Sequence, residues 1–284
     1  MPSQPARRPP APRDQAHGLR QMFAGTGLRA GPLFVPLVHN PHVTGAGAVM
    51  ERLCAAFAAQ SLHTLVVDAA DSASRPHELA GVDLPACVEP LSPQVSYLAA
   101  GGLAMHYLDQ RASLTGFLAA LRGAAPQADV VLLHAGALDL RRMFTDQTPS
   151  PLLLAGNRPD SLTHAYTSMK LLSQRLGVLA YDLVIVGDVA PRRAGRMADR
   201  LSECADHFLG AALRHVAVLD PLGAPQAPLG ADLIALASGQ VGPIGQRGQA
   251  RPAAPASAPR NDRPPTPSAA RPATRQPTAA GRLN

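Results

Sequence analysis

Short apolar runs alternate along the chain with longer segments of helical period. Residues 33–38, 64–67 and 130–133 are apolar without polar alternation, which is typical of parallel strands covered on both faces. Between the first two runs, residues 46–60 have apolar side chains at three- and four-residue steps, which predicts a helix. A strand, a glycine-containing loop, a helix and a second strand form the opening unit of a doubly wound α/β fold.

The same pattern continues towards residue 240 and predicts one mainly parallel α/β domain over residues 31–240. Residues 72–93 contain several prolines and no clean period, so we expect a loop with short irregular elements there. Ser161 is a plausible N-cap for the helix that follows it. Further strands are predicted over 95–99, 130–134, 151–155, 182–187 and 215–219, and further helices over 114–121, 137–144, 161–175, 193–209 and 229–238.

Both ends of the chain are rich in proline and arginine and are predicted to be disordered, over residues 1–13 and 241–284. They also carry the net charge of +6, because ten of the arginines lie in these tails, while residues 14–240 hold 16 basic and 19 acidic residues. A basic folded face is therefore not predicted, nor is binding to nucleic acid.

The remaining composition indicates a cytoplasmic protein. The chain has no apolar run of about 18 residues, as a transmembrane helix would need, and no apolar secretory signal at its start. Its three cysteines, Cys54, Cys87 and Cys204, are far apart and lack metal-ligand spacing. We expect all three to be small buried hydrophobic residues in a reducing compartment.

Residues 14–24 differ from the proline-rich segment before them, because they have the pattern of a short amphipathic helix. Asp14 can cap this helix, whereas Gly18 weakens it, so the segment should become ordered only against a surface. The residues alone favour packing on the chain's own domain over docking on another protein. The apolar side chains on one face are Ala16, Leu19, Met22 and Phe23.

Ligands of such sheets bind beyond the carboxyl ends of the strands, where the sequence places His39, His42, Asp68 and His134. These residue types could form a metal site. Nothing in the sequence makes them converge, so we expect separate histidines on a loop-rich edge and no metal. A nucleophile motif and paired carboxylates are also missing, so no catalytic residue is predicted.

The loop over residues 40–48 lacks the groups that clamp a triphosphate. A P-loop reads G-x-x-x-x-G-K-[ST], in which the lysine reaches the phosphates and the hydroxyl holds Mg²⁺. The chain has a single lysine, Lys170, more than a hundred positions downstream. Only the predicted helix N-terminus at residues 44–47 remains to attract an anion.

Three segments together resemble a known family. The order of elements and residues 64–69 resemble the MinD/ParA-type P-loop ATPases. Residues 157–170, Asn-Arg-Pro-Asp-Ser-Leu-Thr-His-Ala-Tyr-Thr-Ser-Met-Lys, resemble P-E-P-T-S-L-T-D-A-Y-A-L-I-K of the flagellar branch, FlhG or FleN. Residues 14–20 match the N-terminal signature of that branch, D-Q-A-x-x-L-R. The resemblance covers residues 14–238 and neither tail.

This resemblance implies a regulator of flagellar number and placement. Its N-terminal segment would dock on a GTPase of the signal-recognition-particle type, FlhF, and stimulate GTP hydrolysis. The family also dimerises around ATP, associates with the membrane and, in the flagellar branch, restrains a transcriptional activator. The partner-binding residues that the resemblance implies are Asp14, Gln15, Ala16, Leu19, Arg20, Met22 and Phe23.

The chain departs from the family where charge matters most. Aligning Asp68 with the family's strand-two aspartate puts Pro41 at the signature lysine, Ala46 at the P-loop lysine and His134 at the Walker B aspartate. Gly47 takes the place of the Mg²⁺-binding hydroxyl, so we predict a pseudo-ATPase that uses neither ATP nor Mg²⁺. The degenerate nucleotide-site positions are Pro41, Thr44, Gly45, Ala46, Gly47, Asp68 and His134.

Three alternatives stay open beside the pseudo-ATPase. The first is an ATPase with a reorganised nucleotide site, and the second is a MinD-like accessory protein of a different envelope machine. The third is a module that binds an unrelated small anion at residues 44–47. The predicted helix over 229–238 has no basic residue, so core packing is expected for it rather than membrane binding. The arginines after it would add only weak peripheral contact with the inner face of the membrane.

Overall fold

The computed structural model describes residues 31–224 and 227–242. The predicted docking helix at residues 14–24, the tail before it and all residues after 242 lie outside this range. The strands are β1 Leu33–Val38, β2 Thr64–Asp68, β3 Glu89–Ser92, β4 Val95–Ala99, β5 Val130–Ala135, β6 Leu152–Gly156, β7 Ala180–Val186 and β8 Ala212–Leu219. The α-helices of the described residues are α1 Ala46–Ala58, α2 Thr115–Ala124, α3 Ala137–Met143, α4 Pro159–Leu176, α5 Pro191–Leu209 and α6 Ala231–Val241.

The strands form one sheet in the order β3-β4-β2-β5-β1-β6-β7-β8. All neighbouring strands are parallel except β3, which runs antiparallel to β4 at one edge. The predicted doubly wound, mainly parallel α/β fold is confirmed. Because β5 lies between β1 and β2, the carboxyl ends of these three strands meet at the middle of the sheet.

A hydrophobic layer covers each face of the sheet. On one face α2, α3, α4 and α5 bury side chains such as Phe117 and Met169. On the other face α1 and α6 bury side chains such as Phe57 and Leu236. The expectation that the last helix packs on the core is confirmed, and in the described ranges no helix is long and apolar enough to cross a bilayer.

Four local expectations are corrected by the structure. Helix α4 begins at Pro159 rather than after Ser161, because proline suits the first helical position. Residues 72–93 contain the expected short irregular elements, two 3₁₀-helices at Glu78–Gly81 and Pro85–Cys87, but also the edge strand β3, which was not expected. Strand β8 begins three residues earlier than expected. Of the three cysteines only Cys54 is buried, since Cys87 is half-buried and Cys204 is exposed.

Candidate functional site

The parallel register brings three predicted site residues together at the carboxyl ends of the central strands. Asp68 is the last residue of β2 and is paired in register with His134 of β5. His134 is also paired with Leu37 of β1, so His39 follows immediately beyond that strand. Sheet order, rather than nearness in sequence, therefore creates this cluster.

Asp68, His134 and His39 form a continuous chain of hydrogen bonds. Nδ1 of His134 lies 2.8 Å from Oδ1 of Asp68, and Nε2 of His134 lies 3.2 Å from Nδ1 of His39. Because a carboxylate only accepts, we assign the Nδ1 proton of His134 to the bond with Asp68. Nε2 of His134 then accepts from the Nδ1–H of His39. The expectation of separate histidines is wrong for these two residues.

Two further histidines flank this chain. The rings of His42 and His164 meet edge to face with their centroids 5.9 Å apart, and His164 hydrogen-bonds to the backbone of His39. His164 lies on α4, and sequence reasoning did not select it. Its position on the first turns of a helix that follows a central strand was the signal available.

Two histidines of this site, His39 and His164, have lowered pKa values. Burial and the neighbouring His134 lower the pKa of His39, although Asp71 and Asp68 oppose this shift. Burial and His42 likewise lower the pKa of His164, against the opposing effect of its hydrogen bond to the His39 backbone. Both shifts favour the neutral form of the ring.

The loop after β1 is fixed by a buried asparagine that the sequence did not mark as important. Nδ2 of Asn40 donates to the carbonyls of Leu154, at 2.7 Å, and Ser161, at 2.9 Å. Its Oδ1 accepts from the backbone N–H of His42 at 3.1 Å. The hydroxyl of Ser161 accepts from the N–H of Gly156 at 2.6 Å. Ser161 therefore ties β6 and α4 to this loop rather than capping α4.

The other predicted nucleotide-site positions form one continuous loop at the start of α1. Pro41 and Thr44 are exposed, and Ala46 and Gly47 are the first residues of the helix. Gly45 precedes them with φ of 95°. A Cβ placed on Gly45 would lie 2.6 Å from Cβ of Pro221, so the segment after β8 packs directly against this glycine.

These residues do not fit a magnesium-bound triphosphate. The first turn of α1 retains free backbone N–H groups, but the loop over residues 40–48 has no lysine or arginine to neutralise phosphate charge. Gly47 has no hydroxyl, and one oxygen of Asp68 already accepts from His134. Within residues 31–224 and 227–242 no group of three histidine, cysteine or acidic side chains is arranged to hold a metal ion.

The residues predicted to bind a partner, from Asp14 to Phe23, lie outside the described part.

Comparison with known proteins gives similarity in fold alone. No family model matches the chain, and no curated protein matches it. A putative plasmid partition protein from Borrelia burgdorferi, solved with AMPPNP, has a TM-score of 0.50 and 10% identity over 76% of this chain and 99% of its own. A Cyanothece McdA variant in complex with ATP has a TM-score of 0.50 and 10% identity over 75% and 98%.

A third solved structure, the septum site-determining protein MinD of Pyrococcus horikoshii with Mg-ADP, has 17% identity over 76% of this chain and 98% of its own, with a TM-score of 0.49. The first two structures show that the chain shares its fold with the plasmid partition protein and McdA, a mainly parallel α/β fold of the MinD/ParA type. Identities of 10 to 17% do not select a branch within that class.

Proposed function

We propose that this chain is a non-catalytic scaffold with a MinD-like fold that regulates flagellar number and placement. In this proposal the folded domain presents the segment over residues 14–24 to a flagellar GTPase of the signal-recognition-particle type. The observation that carries the non-catalytic part is the chain of Asp68, His134 and His39 at the edge where a nucleotide and its metal would be held. The N-terminal signature D-Q-A-H-G-L-R supports the choice of partner.

The residues of the docking segment have distinct proposed roles. Asp14 and Gln15 make polar contacts at the GTPase site, and Arg20 pairs with an acidic group of the partner. The apolar anchors are Leu19, Met22 and Phe23, with the small Ala16 on the same face. Restraint of a flagellar transcriptional activator and weak contact with the membrane belong to the same proposal, but they do not depend on this segment.

The non-catalytic part is tested by nucleotide binding to the full-length protein. We expect isothermal titration calorimetry to detect no binding of ATP at concentrations up to about 1 mM, with or without Mg²⁺, because the phosphate charge meets no cation. A commercial P-loop ATPase measured in parallel provides the positive control. Micromolar Mg-ATP binding with turnover that is lost in Asp68→Asn would contradict the proposal and favour the reorganised ATPase.

The partner is tested by GTP hydrolysis of the matching flagellar GTPase from the same cell. We expect the full-length protein and a peptide of residues 10–27 to stimulate hydrolysis, and Gln15→Ala to remove most of the stimulation in both. Gln21→Ala is the matched control, since it changes the same residue type outside the signature. If the wild-type protein and the peptide are both inert, the GTPase proposal fails and the envelope-machine alternative gains support.

A further inference from the structure

A groove of about 850 Å³ lies between α4 and α5, on the face of the sheet that is away from α1 and α6. Its floor is apolar, and the side chains of the floor pack against the hydrophobic core of that face. The floor residues are Leu162, Tyr166, Met197 and Leu201, and the arginines around them are Arg158, Arg193, Arg196 and Arg200. The arginine cluster belongs to no site described above.

The charge of this groove is local and partly uncompensated. Four arginines and only one carboxylate, Glu203, line it, although residues 14–240 carry more acidic than basic side chains. Arg196 and Arg200 are exposed, and the structure gives them no hydrogen bond or ion pair with any described residue. Among the described residues, Arg193 donates to the carbonyl of Asn157 at 3.3 Å, and Arg158 pairs with Asp160 at 3.8 Å.

The spacing of the arginines suits a helical occupant. Arg193, Arg196 and Arg200 follow one another at steps of three and four residues on α5, so they form a row about 10 Å long beside the apolar floor. An amphipathic helix with acidic residues beside an apolar stripe would match both features. The chain's own tails do not match, because residues 1–13 and 243–284 contain ten arginines and one aspartate.

We propose that the groove between α4 and α5 docks an acidic amphipathic helix of a partner protein. This surface lies on the folded domain, whereas the proposed function uses the N-terminal segment. Loss of binding at the groove and loss of GTPase stimulation are therefore separate outcomes.

Binding is tested with the full-length protein and an 18-residue fluorescein-labelled helical peptide, in which glutamates flank a leucine stripe. We expect saturable binding by fluorescence anisotropy, weakened by raising the salt concentration because the pairs are exposed. The double substitution Arg196→Glu and Arg200→Glu should weaken binding about tenfold or more. Arg192→Glu is the matched control, since Arg192 is exposed on α5 but does not line the groove.

Two control peptides separate charge from apolar contact. Replacing the glutamates by glutamine, or the leucines by alanine, should each reduce affinity, because the groove has both an arginine rim and an apolar floor. Absence of binding by the parent peptide, or equal binding by the double variant, overturns the proposal. A DNA duplex that competes more strongly than the peptide, through the same arginines, also overturns it and assigns the surface to nucleic acid.

The place of binding is tested by cysteine protection. Cys204 is exposed and lines the groove, whereas burial raises the pKa of Cys54 to about 12 and keeps its thiol protonated. In a Cys87→Ser variant, maleimide should therefore label Cys204. Saturating peptide should slow this labelling several-fold. Unchanged labelling by bound peptide would place it elsewhere and contradict the proposal.

Discussion

Two aspartate–histidine pairs join neighbouring parallel strands of this sheet, and they differ in which partner is buried. At the carboxyl ends, His134 is 2% exposed while its partner Asp68 is 17% exposed. Towards the amino ends, Asp182 of β7 is fully buried while its partner His215 of β8 is 36% exposed. The first pair presents a carboxylate to the loop-rich edge, whereas the second encloses a carboxylate in the fold.

The number of donors explains what each pair does. Asp182 accepts from Nη2 of Arg214 and Nε2 of Gln240, each at 2.6 Å, and from Nδ1 and the backbone N–H of His215. Arg214 also bonds to the hydroxyl of Ser150. Both oxygens of Asp182 are thus occupied by groups that hold β7, β8 and α6 together. This cluster stabilises the fold and has no capacity left for a ligand.

Asp68 has fewer partners. Among the described residues it accepts from His134 and, at 3.5 Å, from the backbone N–H of Ala70. A carboxylate with spare acceptor capacity at the ligand-binding edge of an α/β sheet is typical of a functional position. The difference between the two pairs shows that burial of the acid, rather than the pairing itself, separates a structural cluster from a candidate site.

The largest expected effect is the loss of the enclosed carboxylate. Asp182→Ala should lower the free energy of unfolding by about 3 kcal/mol, because Arg214, His215 and Gln240 lose their common acceptor. Urea unfolding followed by circular dichroism measures this change. Asp232→Ala, at an exposed acid in the first turn of α6, is the control and should cost less than about 1 kcal/mol. Equal losses of unfolding free energy in the two variants would contradict the structural role of Asp182.

The stability of the loop between β1 and α1 should depend on its backbone conformation more than on charge. Gly45→Ala should cost about 1–3 kcal/mol, because φ of 95° is unfavourable for alanine and the new Cβ would meet Pro221. Gly47→Ala is the matched control, since a Cβ there meets nothing within 4 Å and alanine favours the helix. Thermal unfolding of both variants tests this, and a Gly45→Ala protein as stable as Gly47→Ala would contradict it.

A smaller loss of stability is expected at the partly exposed carboxylate of Asp68. Asp68→Ala should cost about 1–2 kcal/mol, because the buried Nδ1–H of His134 loses its acceptor. Asp68→Asn keeps an acceptor oxygen and should cost less. The measurement is urea unfolding under the conditions used for Asp182→Ala. If Asp68→Ala proves as destabilising as Asp182→Ala, burial of the acid does not distinguish the two pairs.

The smallest effect is a dependence of stability on pH at the carboxyl-end site. The pKa values of His39 and His164 are lowered below 6.5 by burial, so the unfolded chain binds protons more readily than the folded protein. The contribution of the two histidines to the free energy of unfolding is fully present above pH 6.5 and is lost as the pH falls through their folded-state pKa values. We expect the melting temperature to fall between pH 7.5 and 5.5, and to fall less in the double variant His39→Asn and His164→Asn. His207→Asn, at an exposed ring of α5, is the control substitution.

Much of the architecture could be predicted from local patterns. The apolar runs of β1, β2 and β5 and the period of α1 identified these elements within two residues of their observed bounds. Polar residues inside elements caused the errors. Strand β8 was predicted too short because its first residues include the charged Arg214, and the exposed strand β3 had no apolar signal. Arg214 is held by Asp182, 32 residues away, and β3 is defined by its pairing with β4 rather than by burial, so a local apolar pattern reveals neither.

The sequence by itself determined that the loop before α1 has no cation for phosphate, since the chain's one lysine is at position 170. It also contains the N-terminal segment on which the proposed partner depends. Only the tertiary structure decided that His39 and Asp68 meet through His134, that Asn40 reaches Ser161, and that Arg158, just before α4, shares one groove with arginines of α5. The physical reason is that apolar periodicity is a property of neighbouring residues, whereas these contacts follow from strand order, which places β5 between β1 and β2 although it comes after both in the chain.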